Sequence, residues 1–231
     1  MAQKSKRNKK IVELLGEHPS APIKEAVEQL KKCPELKFDQ SVDIAIKLGV
    51  DPKKSDQQVR GTVFLPHGTG KNVVVLVLTQ GDKVKAALDA GADFAGGEEY
   101  IEKIKGGWTG FSALVATPDM MREVGKLGKV LGPRGLMPSP KAGTVTPDVA
   151  KAVQEIKKGK VEFKLDKSGV INNMVGKLSF AAEKLEENIN AFLQAVNKAK
   201  PASAKGIFIK SAALSSTMGP GIRLELQVAA I

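Results

Sequence analysis

Three hydroxyl side chains near the C-terminus stand directly before a Gly-Pro-Gly turn. The stretch reads Ser215-Ser216-Thr217-Met218-Gly219-Pro220-Gly221-Ile222-Arg223. Hydroxyls and unhindered backbone N–H groups are good partners for phosphate and ribose oxygens, and the glycines remove side chains that would keep a ligand's backbone at a distance. A polar turn between two strands has the same composition, so this stretch by itself leaves a binding role and a structural role both open.

Side chains for nucleophilic, acid–base or metal chemistry are scarce. The one cysteine, Cys33, ends a helical pattern, where we expect a packed thiol, and it excludes an intrachain disulfide. A histidine-based site would have to use His18 and His67, the only two histidines. The adjacent acids Glu98 and Glu99 lie on a surface-like helix, which favours a solvated face over acid–base catalysis. We therefore expect no catalytic residues and no metal site.

The sequence matches neither of the two common glycine-rich phosphate-binding motifs. A P-loop requires Gly, four residues and then Gly-Lys-Ser/Thr, but Gly70-Lys71 is followed by Asn72 and Leu65 occupies the first glycine position. The dinucleotide pattern fails at Val73, where its third glycine belongs. We expect no nucleotide cofactor.

The charge balance indicates a polyanionic partner. The 231 residues include 36 Lys/Arg and 25 Asp/Glu, a net charge of +11, which favours nucleic acid first and an anionic membrane second. Aromatic residues are only 4 %, with one Trp and one Tyr, too few for a row of base-stacking platforms. A nucleic-acid-binding function would therefore read folded shape, ribose and phosphate.

Two features argue against a membrane protein. The longest apolar run, residues 73–78, is far below the ~20 residues that span a bilayer. Residues 1–10 are basic but no apolar segment follows, so they predict a short solvated tail that contacts phosphate rather than a signal peptide.

Alternating and helical patterns divide the chain into three parts. The first part contains a predicted helix and two strands of a one-sided sheet, at residues 22–33, 42–48 and 59–65. The middle part alternates buried strands with helices, at residues 73–78, 82–90, 92–95, 98–105, 112–116 and 146–158. Thr117 and Thr146 each precede Pro-Asp and read as helix N-caps. The last part returns to strands, at residues 161–165, 170–171, 207–214 and 222–228, and to one helix that follows Ser179 and ends before Pro201.

These parts predict an α/β (α+β) protein of two domains. An antiparallel sheet with helices is built from both chain ends, residues 1–67 and 160–231, and is interrupted by an inserted Rossmann-like α/β domain at residues 68–159. The inserted part carries a net charge of +3 and the remainder +8, so the terminal domain is the better candidate for the polyanion surface. Within the insert, residues 125–144 are rich in Gly, Pro, Lys and Arg and read as an irregular basic loop.

Motifs along nearly the whole chain resemble the ribosomal protein L-one family, the large-subunit stalk proteins. The matching segments within residues 125–144 are Leu127-Gly128, Leu131-Gly132-Pro133-Arg134-Gly135, Met137-Pro138 and Lys141-Ala142-Gly143-Thr144. Further matches are Lys37-Phe38-Asp39, Arg60-Gly61-Thr62, Leu65-Pro66-His67-Gly68, Gly97-Glu98-Glu99, Ala116-Thr117-Pro118-Asp119, Val175-Gly176-Lys177 and Ser216-Thr217-Met218-Gly219-Pro220.

The resemblance implies a non-enzymatic constituent of the large ribosomal subunit in the cytoplasm. It implies direct binding to 23S rRNA at the mobile stalk near the exit (E) site, contact with E-site tRNA during release of deacylated tRNA, and repression of the protein's own operon mRNA. It also implies a protein that is monomeric when free.

Carried onto matching positions, the resemblance implies RNA contacts in three segments. They are Lys37, Phe38 and Ser41; Asp166, Lys167 and Ser168; and Ser216, Thr217, Met218, Gly219 and Arg223. Lys37 and Lys167 would neutralise phosphate, and Phe38 and Met218 would lie against ribose or a base. Two positions depart from the usual pattern, since Asn172 stands where many members have His and Ser41 where many have Thr.

The main alternative is a basic-surfaced α/β enzyme, because a fold does not by itself specify a function. The missing phosphate loop and the scarcity of His and Cys argue against it. A peripheral membrane protein is a weaker alternative, since the basic residues are not gathered on one strongly amphipathic helix.

Overall fold

The computed structural model describes residues 5–16, 19–34, 36–81, 83–204 and 206–225. These residues form two compact units of mixed α/β structure. Unit 1 contains the described residues up to Gly70 and those from Glu162 onward, and unit 2 is Lys71–Val161. Of the positions used above, residues 1–4, His18, Asp82 and residues 226–228 lie outside the described residues.

The elements are numbered in chain order. The strands are β1 Ser20–Ala21, β2 Ser41–Leu48, β3 Arg60–Phe64, β4 Val75–Leu78, β5 Phe94–Gly96, β6 Ala113–Ala116, β7 Lys160–Lys164, β8 Val170–Lys177, β9 Ile209–Ser216 and β10 Gly221–Leu224. The α-helices are α1 Lys6–Leu15, α2 Ile23–Lys32, α3 Lys83–Asp89, α4 Glu98–Lys105, α5 Met121–Lys126, α6 Gly128–Leu131, α7 Val149–Lys157 and α8 Ala182–Lys198.

Unit 1 is built on a five-stranded sheet in the order β1-β10-β9-β2-β8. The pairs are antiparallel except β1 with β10, which is parallel. One face of β2 is buried through Val42, Ile44, Ile46 and Leu48, as the alternating pattern predicts. Helices α2 and α8 contact this sheet and each buries one apolar stripe.

The strand at residues 60–64 does not belong to this sheet. The sequence analysis placed it in the same one-sided sheet as β2, and that prediction is wrong, because β3 pairs with β7 in a separate two-stranded sheet. Both edges of β2 are already occupied, by β8 on one side and β9 on the other. The alternating pattern identified the strand correctly but carried no information about its partner.

A buried amide connects two parts of unit 1. Asn188 on α8 is completely buried. Its Oδ1 accepts the His67 backbone N–H at 3.1 Å, and its Nδ2 donates to the carbonyl oxygens of Gly68 and Val175 at 3.0 and 2.8 Å. The amide thus satisfies one buried and two partly buried backbone groups that would otherwise lack a partner.

Unit 2 is organised around β4, the central strand of a parallel sheet with the order β5-β4-β6. Leu76 and Leu78 pack on one face with residues of α4, α5 and α6, while Val75 and Val77 pack on the other with residues of α3 and α7. Burial on both faces explains why this strand is a continuous apolar run.

The Asp93 carboxylate binds the first residue of β4. Asp93 accepts the Val75 backbone N–H at 2.9 Å and lies 3.3 Å from the Lys157 ammonium. The backbone hydrogen bond and then Lys157 hold the pKa of the Asp93 carboxyl below its usual range.

Three local predictions need correction. Residues 6–10 of the predicted tail belong to helix α1 (Lys6–Leu15), with Ser5 as its N-cap. The predicted irregular loop at 125–144 contains the end of α5, all of α6 and a short 3-10 helix at Pro140–Ala142, because buried apolar side chains at helical spacing stabilise the helical turns. The α7 N-cap is Asp148 rather than Thr146, since the Asp148 carboxylate accepts the Lys151 N–H. Thr117 takes its predicted N-cap position, before the 3-10 helix Pro118–Met120, although its side chain makes no capping hydrogen bond.

Candidate nucleic-acid interface

Two of the predicted contact segments lie together in unit 1, although they are 176 residues apart. The Thr217 N–H donates to the Ser41 carbonyl at 3.0 Å, and the Ser41 N–H donates to the Thr217 hydroxyl oxygen at 3.0 Å. These reciprocal bonds close the end of the β2–β9 pair. The Thr217 hydroxyl oxygen therefore accepts one internal hydrogen bond, and the hydroxyl donates a longer one to the Ser41 carbonyl, 3.4 Å away.

Gln40 joins these segments and was missed by the sequence analysis. It is 3 % exposed, its Oε1 accepts the Met218 N–H at 3.1 Å and its carbonyl accepts the Leu178 N–H at 2.8 Å. No sequence pattern marks a glutamine before a strand as important, because both its partners are far away in the chain.

Asp39 connects the turn after β8 to the segment before β2, next to Gln40. Its carboxylate accepts hydrogen bonds from the Ser179 N–H at 3.2 Å and the Ser179 hydroxyl at 2.9 Å, and its carbonyl accepts from the Lys177 ammonium at 3.3 Å. Lys177 thereby joins Lys37 as a second cation at this end of the sheet.

The turn after β9 exposes some predicted residues and buries another. Thr217 is exposed and Met218 is 57 % exposed, whereas Ser216 is 4 % exposed. A Cβ on Gly219 would collide with the Ser216 hydroxyl, so any other residue here would force the Ser216 side chain or the turn to move. Phe38 is 53 % exposed on the neighbouring segment, which gives this end two exposed apolar side chains.

The third predicted segment lies at the opposite end of β2. Asp166, Lys167 and Ser168 are all exposed on the turn that leads into β8, and the carbonyl of the following Gly169 accepts the Leu48 N–H at 2.9 Å. Leu48 is seven residues along the strand from Ser41, which corresponds to about 23 Å at ~3.3 Å per residue. The predicted contacts therefore form two groups at the ends of β2.

An open sheet face lies between the two groups. Directly paired residues of neighbouring strands share one face, and the pairing register places Arg223, Ala213, Ala45 and Asn172 in one row across β10, β9, β2 and β8. All four are exposed or half-buried. Their small or polar side chains leave this face accessible, with Arg223 and Asn172 at the two ends of the row.

The positive charge is distributed over the same surface. Lys37 and Lys167 are exposed at the two ends, and Lys47 and Arg223 are exposed along or beside the face. The arrangement offers cations for phosphate together with hydroxyl and amide groups for ribose or base edges.

Comparison with known proteins identifies the family. Residues 29–220 match the ribosomal protein L1p/L10e family. The chain belongs to this family. It is 64 % identical to a large ribosomal subunit protein uL1 from Protochlamydia amoebophila over 227 residues, covering 98 % of this chain and 96 % of the relative. It is also 58 % identical to uL1 of Chlamydia pneumoniae over 225 residues, 97 % of each chain, and 56 % identical to uL1 of Kosmotoga olearia over 227 residues, 98 % of each.

Membership of the L1p/L10e family confirms the resemblance seen in the sequence, and the family consists of ribosomal proteins rather than enzymes. The side chains are consistent with this. Cys33 is buried, and burial raises the pKa of its thiol, which makes it a poor nucleophile. The His67 ring nitrogen lies 2.6 Å from Glu187, outside the two contact groups.

The described residues contain neither a metal-binding cluster nor a membrane-spanning helix. No cluster of three or more His, Cys, Asp or Glu side chains in this part of the chain is arranged to bind a metal ion. None of the helices found there combines the length and the apolar character that crossing a membrane requires.

Proposed function

We propose that this protein, a structural constituent of the large ribosomal subunit, binds 23S rRNA directly at the mobile stalk near the E site. The supporting observation is the open face of the unit 1 sheet, which carries an exposed group of family-matched residues at each end of β2. A surface of about 23 Å between the groups suits a folded RNA better than a small ligand.

The domains take separate roles in this proposal. Residues 1–67 and 160–231 form the RNA-binding domain, and residues 68–159 form an inserted Rossmann-like domain. The three-stranded parallel sheet with helices on both faces supports the second assignment. The crossings between the domains contain glycine, which suits a hinge.

Individual residues contribute in different ways. Lys37 and Lys167 neutralise phosphate at the two ends of the surface. Phe38 and Met218 place apolar area against ribose or a base face, and the Thr217 hydroxyl donates to a ribose or backbone oxygen while it accepts the Ser41 N–H. Gly219 permits close approach and Ser216 supports the turn from below.

The proposal also includes two activities that depend on binding at the stalk. The protein contacts E-site tRNA and assists release of deacylated tRNA, and the surface that binds rRNA also binds the operon mRNA and represses its translation. In this proposal the protein acts in the cytoplasm, as a monomer when free, and without a cofactor.

Salt-titrated binding to a stalk fragment of 23S rRNA tests the proposal. Wild type is expected to prefer this fragment over random RNA, with affinity falling linearly in log salt. Thr217→Val removes the hydroxyl and is expected to weaken binding by about 1–3 kcal/mol, since hydrogen-bond partners are left unmade. Thr217→Ser keeps the hydroxyl and is the matched control.

Two results would count against the proposal. If Thr217→Val binds like Thr217→Ser, the hydroxyl does not contact RNA and the site assignment fails. If wild type binds stalk and random RNA equally, specific rRNA binding itself is excluded.

A further inference from the structure

Met218 differs from the other methionines of the chain in its accessibility. The six methionines are Met1, Met120, Met121, Met137, Met174 and Met218. Met1 lies outside the described residues. Met218 is 57 % exposed, whereas the other four described methionines are half-buried or, in the case of Met120, 3 % exposed. A dissolved oxidant therefore reaches the Met218 side chain more readily than any other thioether in the described part of the chain.

The thiol of Cys33, the other kind of oxidant-sensitive sulfur in the chain, is protected. Cys33 is the single cysteine and is 5 % exposed. Burial raises the pKa of its thiol, and its Sγ donates to the Gln29 carbonyl at 3.4 Å. Oxidants react with the thiolate rather than the thiol, so the raised pKa and the burial both slow the reaction. Among the sulfur-containing side chains that the structure describes, Met218 is thus the most open to oxidation.

The Met218 side chain takes no part in holding its turn. The Met218 N–H donates to the Gln40 side-chain oxygen at 3.1 Å, and the Gly219 N–H donates to the Ser216 carbonyl at 3.0 Å. These bonds use backbone atoms of the turn, and neither involves the thioether. A chemical change at the sulfur should therefore leave the fold of the turn intact and alter only what the turn presents to a ligand.

We propose that Met218 is an oxidant-sensitive modification site, and that its conversion to methionine sulfoxide weakens RNA binding. The oxidant is hydrogen peroxide, which transfers one oxygen atom to the thioether. The O–O bond breaks, an S–O bond forms and the sulfur gives up two electrons. The departing hydroxide takes the proton of the transferred oxygen and leaves as water. Methionine sulfoxide reductase returns the sulfoxide to the thioether with electrons from a thiol.

The effect on binding rests on the proposed function, in which Met218 places apolar area against ribose or a base face. The thioether is apolar and flexible, whereas the sulfoxide carries a strongly polar oxygen. Covering that oxygen with RNA removes it from water, and a base face offers it no hydrogen-bond donor in return. We expect the affinity to fall roughly 5- to 30-fold. The protein thus binds its RNA less tightly after oxidation and recovers after reduction.

Oxidation of the folded, full-length protein by dilute hydrogen peroxide tests the site. Peptide mass spectrometry follows the sulfoxide fraction at each methionine and the oxidation of Cys33. Met218 is expected to react several-fold faster than Met120 and Met174, and concentrated urea is expected to abolish the difference because it exposes every side chain. Equal rates in the folded protein, or faster reaction at another sulfur, would overturn the site assignment. This measurement uses no RNA, so it decides the site whatever RNA the protein prefers.

The effect on binding is tested by the affinity for the 23S stalk fragment before and after peroxide treatment. Wild type and the matched control Met120→Leu are expected to lose affinity roughly 5- to 30-fold, and treatment with methionine sulfoxide reductase and a thiol is expected to restore it. Met218→Leu has no sulfur at this position, so its affinity is expected not to change on treatment, whatever its starting value. An equal loss in Met218→Leu would assign the effect to another residue and refute the proposal, as would an undiminished affinity of oxidised wild type.

Protection by RNA separates a failure of this inference from a failure of the proposed function. Stalk RNA is expected to slow the oxidation of Met218 in wild type, and an unrelated RNA at the same concentration is expected to leave the rate unchanged. If Met218 oxidises selectively but stalk RNA gives no protection, the RNA contact assigned to this turn fails and the modification site stands. If stalk RNA protects Met218 but oxidation leaves the affinity unchanged, the proposed function stands and the effect of oxidation is refuted.

Discussion

Replacing Gln40 by Leu should weaken RNA binding without removing any charge or any exposed contact. Gln40 is buried, and its side-chain oxygen is the acceptor for the Met218 N–H at 3.1 Å. Leucine has a similar volume but no acceptor, so the turn that presents Thr217 and Met218 loses its attachment to the segment before β2. Gln40 is thus a positioning residue for the proposed RNA contacts.

The magnitude follows from one unmade hydrogen bond. A buried donor left without a partner costs about 1–3 kcal/mol. Because the Met218 side chain is 57 % exposed, the turn can relax until its N–H meets water, so we expect about 1 kcal/mol of lost folding stability. RNA binding must then restore the turn, which corresponds to a loss in affinity of about 1–2 kcal/mol, or roughly 5- to 30-fold.

Urea unfolding and salt-titrated binding to the stalk fragment separate these effects. The salt slope should equal that of wild type, since no phosphate contact is lost. Gln194→Leu, an exposed glutamine on α8 of the same unit, is the matched control and should bind normally. The reasoning is refuted if Gln40→Leu binds as tightly as Gln194→Leu, or if its affinity loss comes with a smaller salt slope.

Two further predictions concern the stability of each unit. Asn188→Leu should destabilise unit 1 by about 2–4 kcal/mol in urea unfolding, because residues 67–68 and Val175 lose one buried and two partly buried hydrogen bonds; a loss below about 1 kcal/mol would contradict the assigned geometry. Asp93→Asn should destabilise unit 2 at pH 7. Since the fold lowers the pKa of Asp93, its carboxylate stabilises above the ordinary value of 3.8 and this contribution is lost as pH falls through the lower folded pKa. The difference between wild type and Asp93→Asn, followed by tryptophan fluorescence, should therefore shrink below about pH 4; a pH-independent difference would exclude the ionic contribution.

Local patterns were reliable where one residue's environment depends on its near neighbours. The apolar run at 73–78 predicted a strand buried on both faces, and β4 is buried in this way with Leu76 and Leu78 on one side and Val75 and Val77 on the other. The alternation at 42–48 and the apolar stripe of α8 predicted a one-sided strand and an amphipathic helix, and both predictions are confirmed. Side-chain periodicity follows directly from backbone geometry, so it is visible in the sequence.

Strand partners and the layout of the site depended on contacts that are distant in the chain. The pattern at 59–65 could not indicate that β3 pairs with β7, because the choice depends on which strand edges remain free. The composition of residues 215–223 suggested a binding turn, but its attachment to Ser41 and Gln40 spans more than 170 residues.

By itself, the sequence determined the family, the alternation of elements, the excess of positive charge and the residue types that suit RNA. Only the tertiary structure decided that the predicted contacts form two groups at opposite ends of β2, that Ser216 lies buried beneath its turn, and that Met218 is the most exposed of the described methionines. The physical reason is that residue type and periodicity are local properties of the chain, whereas register, burial and proximity result from the packing of segments distant in sequence.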